Sequence, residues 1–192
     1  MSILTETPRI HQHITDAIKT PDLVRLAPNM VLVRFETLKV YAALGAVRSL
    51  LASGEIRKGQ TLVDSSSGIY ALALAMACKR YGVGCRIVAS TTVDETIRAQ
   101  LEILGVTVDQ MPPSDNLRLD QHRRVTRVKE LLARDPNLHW MRQYHDPVHY
   151  LGYAELADML REALPGESLT VVGSVGTGSS TGGLAESLRA QD

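Results

Sequence analysis

Short runs rich in β-branched residues alternate along the chain with longer stretches whose apolar residues recur at helical spacing. This alternation constrains the fold more than any other feature of the sequence. The strand candidates are 30–36 (MVLVRFE), 60–65 (QTLVDS), 85–90 (CRIVAS), 106–111 (VTVDQM), 138–144 (LHWMRQY) and 168–175 (SLTVVGSV). Helix candidates lie between them at 38–53, 69–82, 92–104, 117–134, 150–163 and 180–190; in the first, Leu44, Val47 and Leu51 share one face. A repeated strand-then-helix order predicts an α/β fold, a mostly parallel sheet with helices on both faces. MPPSDN at 111–116 is the clearest break and reads as a surface loop. In open parallel sheets ligands bind at the carboxyl ends of strands, so the turns where a strand runs into a helix are the places to search.

Three such places carry chemistry. The first is SVGTGSSTGG, 174–183, where Gly176, Thr177, Gly178, Ser179, Ser180 and Thr181 follow an apolar run. Glycines let backbone approach a ligand closely. The free amides and positive dipole end of the following helix favour an anion, with phosphate the natural guest. No Lys-Ser/Thr pair follows, so this is not a P-loop. The acidic residue that a dinucleotide site wants about 20 positions on has no place before Asp192. The alternative is a plain helix start. The second place is VDSSSG, where Ser65, Ser66, Ser67 and Gly68 form another such junction, suited to a carboxylate, a second phosphate or an ordinary cap. The third is Lys39, just inside a helix with Thr37 as its candidate cap. The helix dipole there disfavours the charged amine, and a neutral amine is what Schiff-base chemistry needs. Ala42, Ala43 and Ala46 would leave room beside it for a flat ring. The alternative is an exposed surface lysine.

The remaining composition excludes several classes. A chain of 192 residues, 44% of them hydrophobic, can bury a sizeable core. Its 21 basic and 21 acidic residues balance, which points to no nucleic-acid or membrane-surface partner. No apolar run is long enough to span a bilayer, and MSILTETPRIHQH lacks the form of a signal peptide. Cys78 and Cys85 make neither a disulfide framework nor a zinc site and read as buried reduced thiols, which places the chain in the cytosol. Pro147 breaks any helix that would align His145 with His149, so no metal site is expected. The HQH at 11–13 reads as a solvated terminus, HRRVTRVK (122–129) as the wet face of a helix, and Trp140 and Tyr144 as core or pocket wall.

Taken in order, the pieces resemble the fold type II pyridoxal-phosphate enzymes: cysteine synthases, cystathionine β-synthases, threonine dehydratases and serine racemases. TPDLVRL (20–26) is similar to that family's Thr-Pro-Leu-Val-Arg-Leu, and LKVYAALGAV to the helix that opens with its cofactor lysine. GEIRKGQTLVDSSSG (54–68), RQYHDPVH (142–149) and VGTGSSTGG (175–183) resemble its later motifs. The resemblance implies a three-layer architecture of two subdomains like the tryptophan synthase β-subunit, the second incomplete here. The smaller would span 38–137 and the larger 1–37 with 138–192. It implies that Lys39 carries pyridoxal 5'-phosphate through a Schiff base, while Gly176, Thr177, Gly178, Ser179 and Ser180 cradle its phosphate. Ser66, Ser67 and Gly68 would receive the carboxylate of a small amino-acid substrate, with Gln143 nearby. The chemistry would be β-elimination or β-replacement through an aminoacrylate. A homodimer, or a partner chain covering the truncated sheet, is the expected assembly.

The sequence departs from the family pattern in four respects. Glu36 runs almost directly into Lys39 without the usual Asn-Pro-x-x-Ser segment; Ile69 replaces the asparagine that meets the ring hydroxyl; the stretch after Asp146-Pro147 is short; and the chain ends at Asp192. These departures keep open a relative that retains the fold as a binding or regulatory subunit, and, further off, a nucleotide-binding α/β domain without lysine chemistry.

Overall fold

A computed structural model of the protein describes residues 10–66, 68–91, 93–114 and 116–190. Helix α1 (Ile14–Ile18) is capped by His13, whose Nδ1 accepts from Thr15 N at 3.2 Å. That histidine, read from the sequence as part of a solvated terminus, therefore has a local structural task. Strands β1 (Asp22–Ala27) and β2 (Met30–Arg34) pair antiparallel as a hairpin. The second was expected; the first, which overlaps TPDLVRL, was not.

The main sheet has four strands, β3 (Thr61–Ser65), β4 (Gly84–Ala89), β5 (Thr107–Gln110) and β6 (Leu138–Trp140), all parallel and ordered β5-β4-β3-β6. Alternation along the central strands explains the layering. Leu62 and Ile87 enter the larger core with helices α2 (Lys39–Ser53) and α3 (Ile69–Tyr81). Val63 and Val88 enter a second cluster with Val128 and Leu131 of α5 (Leu117–Arg134). Helix α4 (Glu95–Ile103) joins β4 to β5. The strands and helices thus confirm the parallel sheet with helices on both faces. β6 pairs with β3 although the expected subdomain boundary falls at residue 137.

Helix α2 is buried almost all round, from Val40 to Leu50, as a helix at the centre of a layered fold must be. It ends at Gly54, whose left-handed φ of 77° suits glycine. Its partner on one side is a 3-10 segment, Pro147–Tyr153, which leads into α6 (Ala154–Ala163) where one helix was expected from 150. The two backbones touch at paired glycines: a Cβ on Gly152 would fall 1.8 Å from Tyr41 O, and one on Gly45 2.2 Å from Gly152 Cα.

The run 168–175, expected as a strand, joins no ladder, and Val172 is 91% exposed. Its β-branched composition favours a strand, yet backbone donors and acceptors make a ladder only where a neighbour is in register. None of the described strands pairs with it. Helix α7 (Ser179–Arg189) follows it. No helix among the described residues is long and apolar enough to cross a membrane.

Candidate functional site

Lys39 is the first residue of α2, half-buried, with Leu38 as the cap residue and Thr37 Oγ1 accepting from Lys39 N at 3.3 Å. Its side chain runs to the glycine-rich turn before α7. There Nζ donates to Thr177 Oγ1 at 3.0 Å and to Ser179 Oγ at 3.5 Å. Those two hydroxyls are 2.9 Å apart, and Ser179 N donates to Thr177 Oγ1 at 3.3 Å. Burial holds the Lys39 amine below its ordinary pKa. Loss of water around the amine, rather than the helix dipole expected from the sequence, is the cause.

The turn owes its shape to Gly178, which caps α7 with a left-handed φ of 81°. A Cβ on Gly176 would meet nothing within 4 Å, so that backbone faces open space. The second glycine pair has another task. Side chains at Gly182 and Gly183 would collide with Tyr150 Cε1 at 2.8 Å and Tyr153 Cδ2 at 2.7 Å, so these glycines seat α7 against the 3-10 segment. Tyr153 then ties the site together. Its hydroxyl donates to Leu38 O at 3.2 Å and is 3.0 Å from Ser180 Oγ, linking the lysine's helix to α7.

Lys39, Gly176, Gly178 and Ser180 line one cavity of about 830 Å3, with Ile69 on its wall. Ala42, Ala43 and Ala46 do not line it; all three are fully buried in the core. Their small side chains let α2 pack closely on its neighbours rather than clearing space for a ring. Ser66, Gly68 and Gln143 are likewise absent from that lining. Ser66 is buried at the end of β3, its N donating to Val88 O at 3.2 Å, and Gly68 caps α3. Ser67 lies outside the described residues. Tyr144, read as core or pocket wall, is exposed.

No sequence motif marks Asp64, Tyr153 or the pair Tyr70–His149, whose Oη and Nε2 are 2.7 Å apart in the core. Asp64 is signalled only by being an acid inside an apolar strand, TLVDS.

A family model described as "Pyridoxal-phosphate dependent enzyme" matches residues 32–192. The chain is 29% identical over 140 residues to N-(2-amino-2-carboxyethyl)-L-glutamate synthase of Ralstonia nicotianae, covering 72% of this chain and 41% of that protein. It is 30% identical over 152 residues to human serine racemase, covering 79% and 42% respectively. A solved cysteine synthase from Entamoeba histolytica superposes with a TM-score of 0.83 at 19% identity, covering all of this chain and 61% of that one. The chain therefore spans less than half the length of the curated relatives named here.

Proposed function

This chain belongs to the pyridoxal-phosphate dependent enzyme family, and from that premise we propose that it catalyses β-elimination or β-replacement on a small amino acid such as serine, O-acetylserine or a cysteine-like compound. The observation that carries this reading is the 3.0 Å contact from Lys39 Nζ to Thr177 Oγ1 at the start of α7.

The residues present fit the cofactor. Open space over Gly176, the hydroxyls of Thr177, Ser179 and Ser180, and the positive dipole end of α7 together suit a phosphate monoester. Lys39 supplies an amine within reach of the same place, and its burial favours the neutral, nucleophilic form. Bound there, pyridoxal phosphate supplies an electron sink for the charge that develops at the substrate Cα. Lys39 is the group we assign to take and return the Cα proton. Ser66, Ser67, Gly68 and Gln143 are assigned to the substrate carboxylate, where the first amides of α3 favour negative charge. Tyr153 keeps the amine and the cradle in register through Leu38 O and Ser180 Oγ. We also propose a smaller unit at 38–137 and a larger one from the remaining residues, working in the cytosol as a homodimer or with a partner chain.

The test is reconstitution. The chain incubated with pyridoxal phosphate should gain a visible absorption band that borohydride bleaches, and Lys39→Ala should abolish it. A band of equal strength in Lys39→Ala overturns the reading. One observation favours a second reading, a non-catalytic relative: Ile69, 62% exposed, presents an apolar side chain to the cavity that holds Lys39. Adding O-acetylserine or serine separates the two, since only a catalyst releases the β-substituent.

A further inference from the structure

Two buried links fasten the loop 141–149 to the junction of β3 with α3. One is Tyr70 with His149, whose Nδ1 also lies 3.1 Å from Asp146 O. The other is Asp64, only 3% exposed, at the carboxyl end of β3. Its Oδ1 accepts from Ser65 N at 2.8 Å and from Trp140 Nε1 at 3.2 Å, and its Oδ2 accepts from Gln143 N at 3.1 Å. All three partners are donors. An ionised carboxylate, acceptor-only on both oxygens, suits all three; protonation adds a donor hydrogen to one oxygen and weakens that oxygen as an acceptor. The residue before Gln143 is Arg142, the one described non-glycine residue with positive φ, at 50°. That conformation is costly for a side chain with a Cβ and persists where its surroundings fix it. The bond from Asp64 to Gln143 N fixes the next residue.

We propose that Asp64 is a positioning residue for the substrate-carboxylate pocket: it holds the Gln143 loop against the turn carrying Ser66 and Gly68, and so sets the affinity for the amino acid. This rests on the role assigned to that turn above. Asp64 acts through its neighbours and does not touch the substrate. The titratable groups that face it are Tyr70 from α3 and Cys85 from β4, while the Arg142 guanidinium lies 5.9 Å from the Trp140 ring centroid. Burial raises the Asp64 pKa to about 6, against three hydrogen bonds that lower it. Trp140 is the chain's single tryptophan and donates to Asp64 Oδ1, so its emission is the one indole signal beside this carboxylate.

The experiment uses the full chain loaded with pyridoxal phosphate, with L-serine affinity measured by calorimetry and Trp140 emission followed against pH. Asp64→Asn should load cofactor as the wild type does but bind L-serine about tenfold more weakly. Wild-type emission should change as pH falls through about 6, serine affinity should fall with it, and the variant should show neither change. Serine affinity within about twofold of wild type in Asp64→Asn overturns the proposal. If circular dichroism shows that Asp64→Asn does not fold, the wild-type series decides: affinity that tracks emission supports the proposal, and flat affinity across the emission change overturns it. A loaded wild type that binds no L-serine overturns the carboxylate pocket and this proposal together. A wild type that binds L-serine with the variant its equal overturns the Asp64 role alone.

Discussion

Burial acts in opposite senses on the two groups that matter most: it holds Lys39 below its ordinary pKa and Asp64 above. For Asp64 this is also a statement about stability. From an ordinary value of 3.8 to about 6, the fold keeps its proton after the unfolded chain has lost it. Stability from this group is therefore full in acid and lost as pH rises between those values, by about 3 kcal/mol. Urea melts should show the wild type losing stability across that interval, and Asp64→Asn should flatten the slope. Affinity for the amino acid should run the other way, so the charged carboxylate serves the pocket at the expense of the fold. Lys39 was legible in the sequence through its place in the ordered motifs; its own neighbourhood left an exposed surface lysine open. Asp64 was not, because the donors that explain it, Trp140 and Gln143, are 76 and 79 residues away.

Among elements, the contact between α2 and the 3-10 segment is the tightest. Gly152→Ala drives a methyl into Tyr41 O and should cost about 3 kcal/mol or more in a urea melt. Gly54→Ala, in open space with a φ of 77°, should cost about 1 kcal/mol from its backbone alone. Equal costs would show that α2 and the segment part readily. Helix α2 and the strands β3 to β5 were legible because each carries its own periodicity. The hairpin strand β1 was not, since only its pairing with β2 makes it a strand. The run 168–175 misled for the converse reason: its composition suits a strand, but a ladder needs a second one.

For the whole molecule, the apolar surface left outside the core is the main feature. Leu26, Met30 and Leu32 of the hairpin are exposed, as are Val172 and Val175, and Leu32 and Val172 line the cavity that holds Lys39. Where such side chains form one contiguous patch they mark an interaction surface. The chain alone should associate with rising concentration in sedimentation velocity, and Leu32→Lys with Val172→Lys should weaken that association. Association unchanged by the pair would place the contact elsewhere. The order β5-β4-β3-β6 has a consequence for synthesis on the ribosome. β3 and β4 can pair soon after emerging, but the other edge of β3 waits until Leu138 to Trp140 have been made. Throughout that interval the nascent chain carries an open strand edge beside an unclosed Asp64, which is where a chaperone would have its longest opportunity to bind.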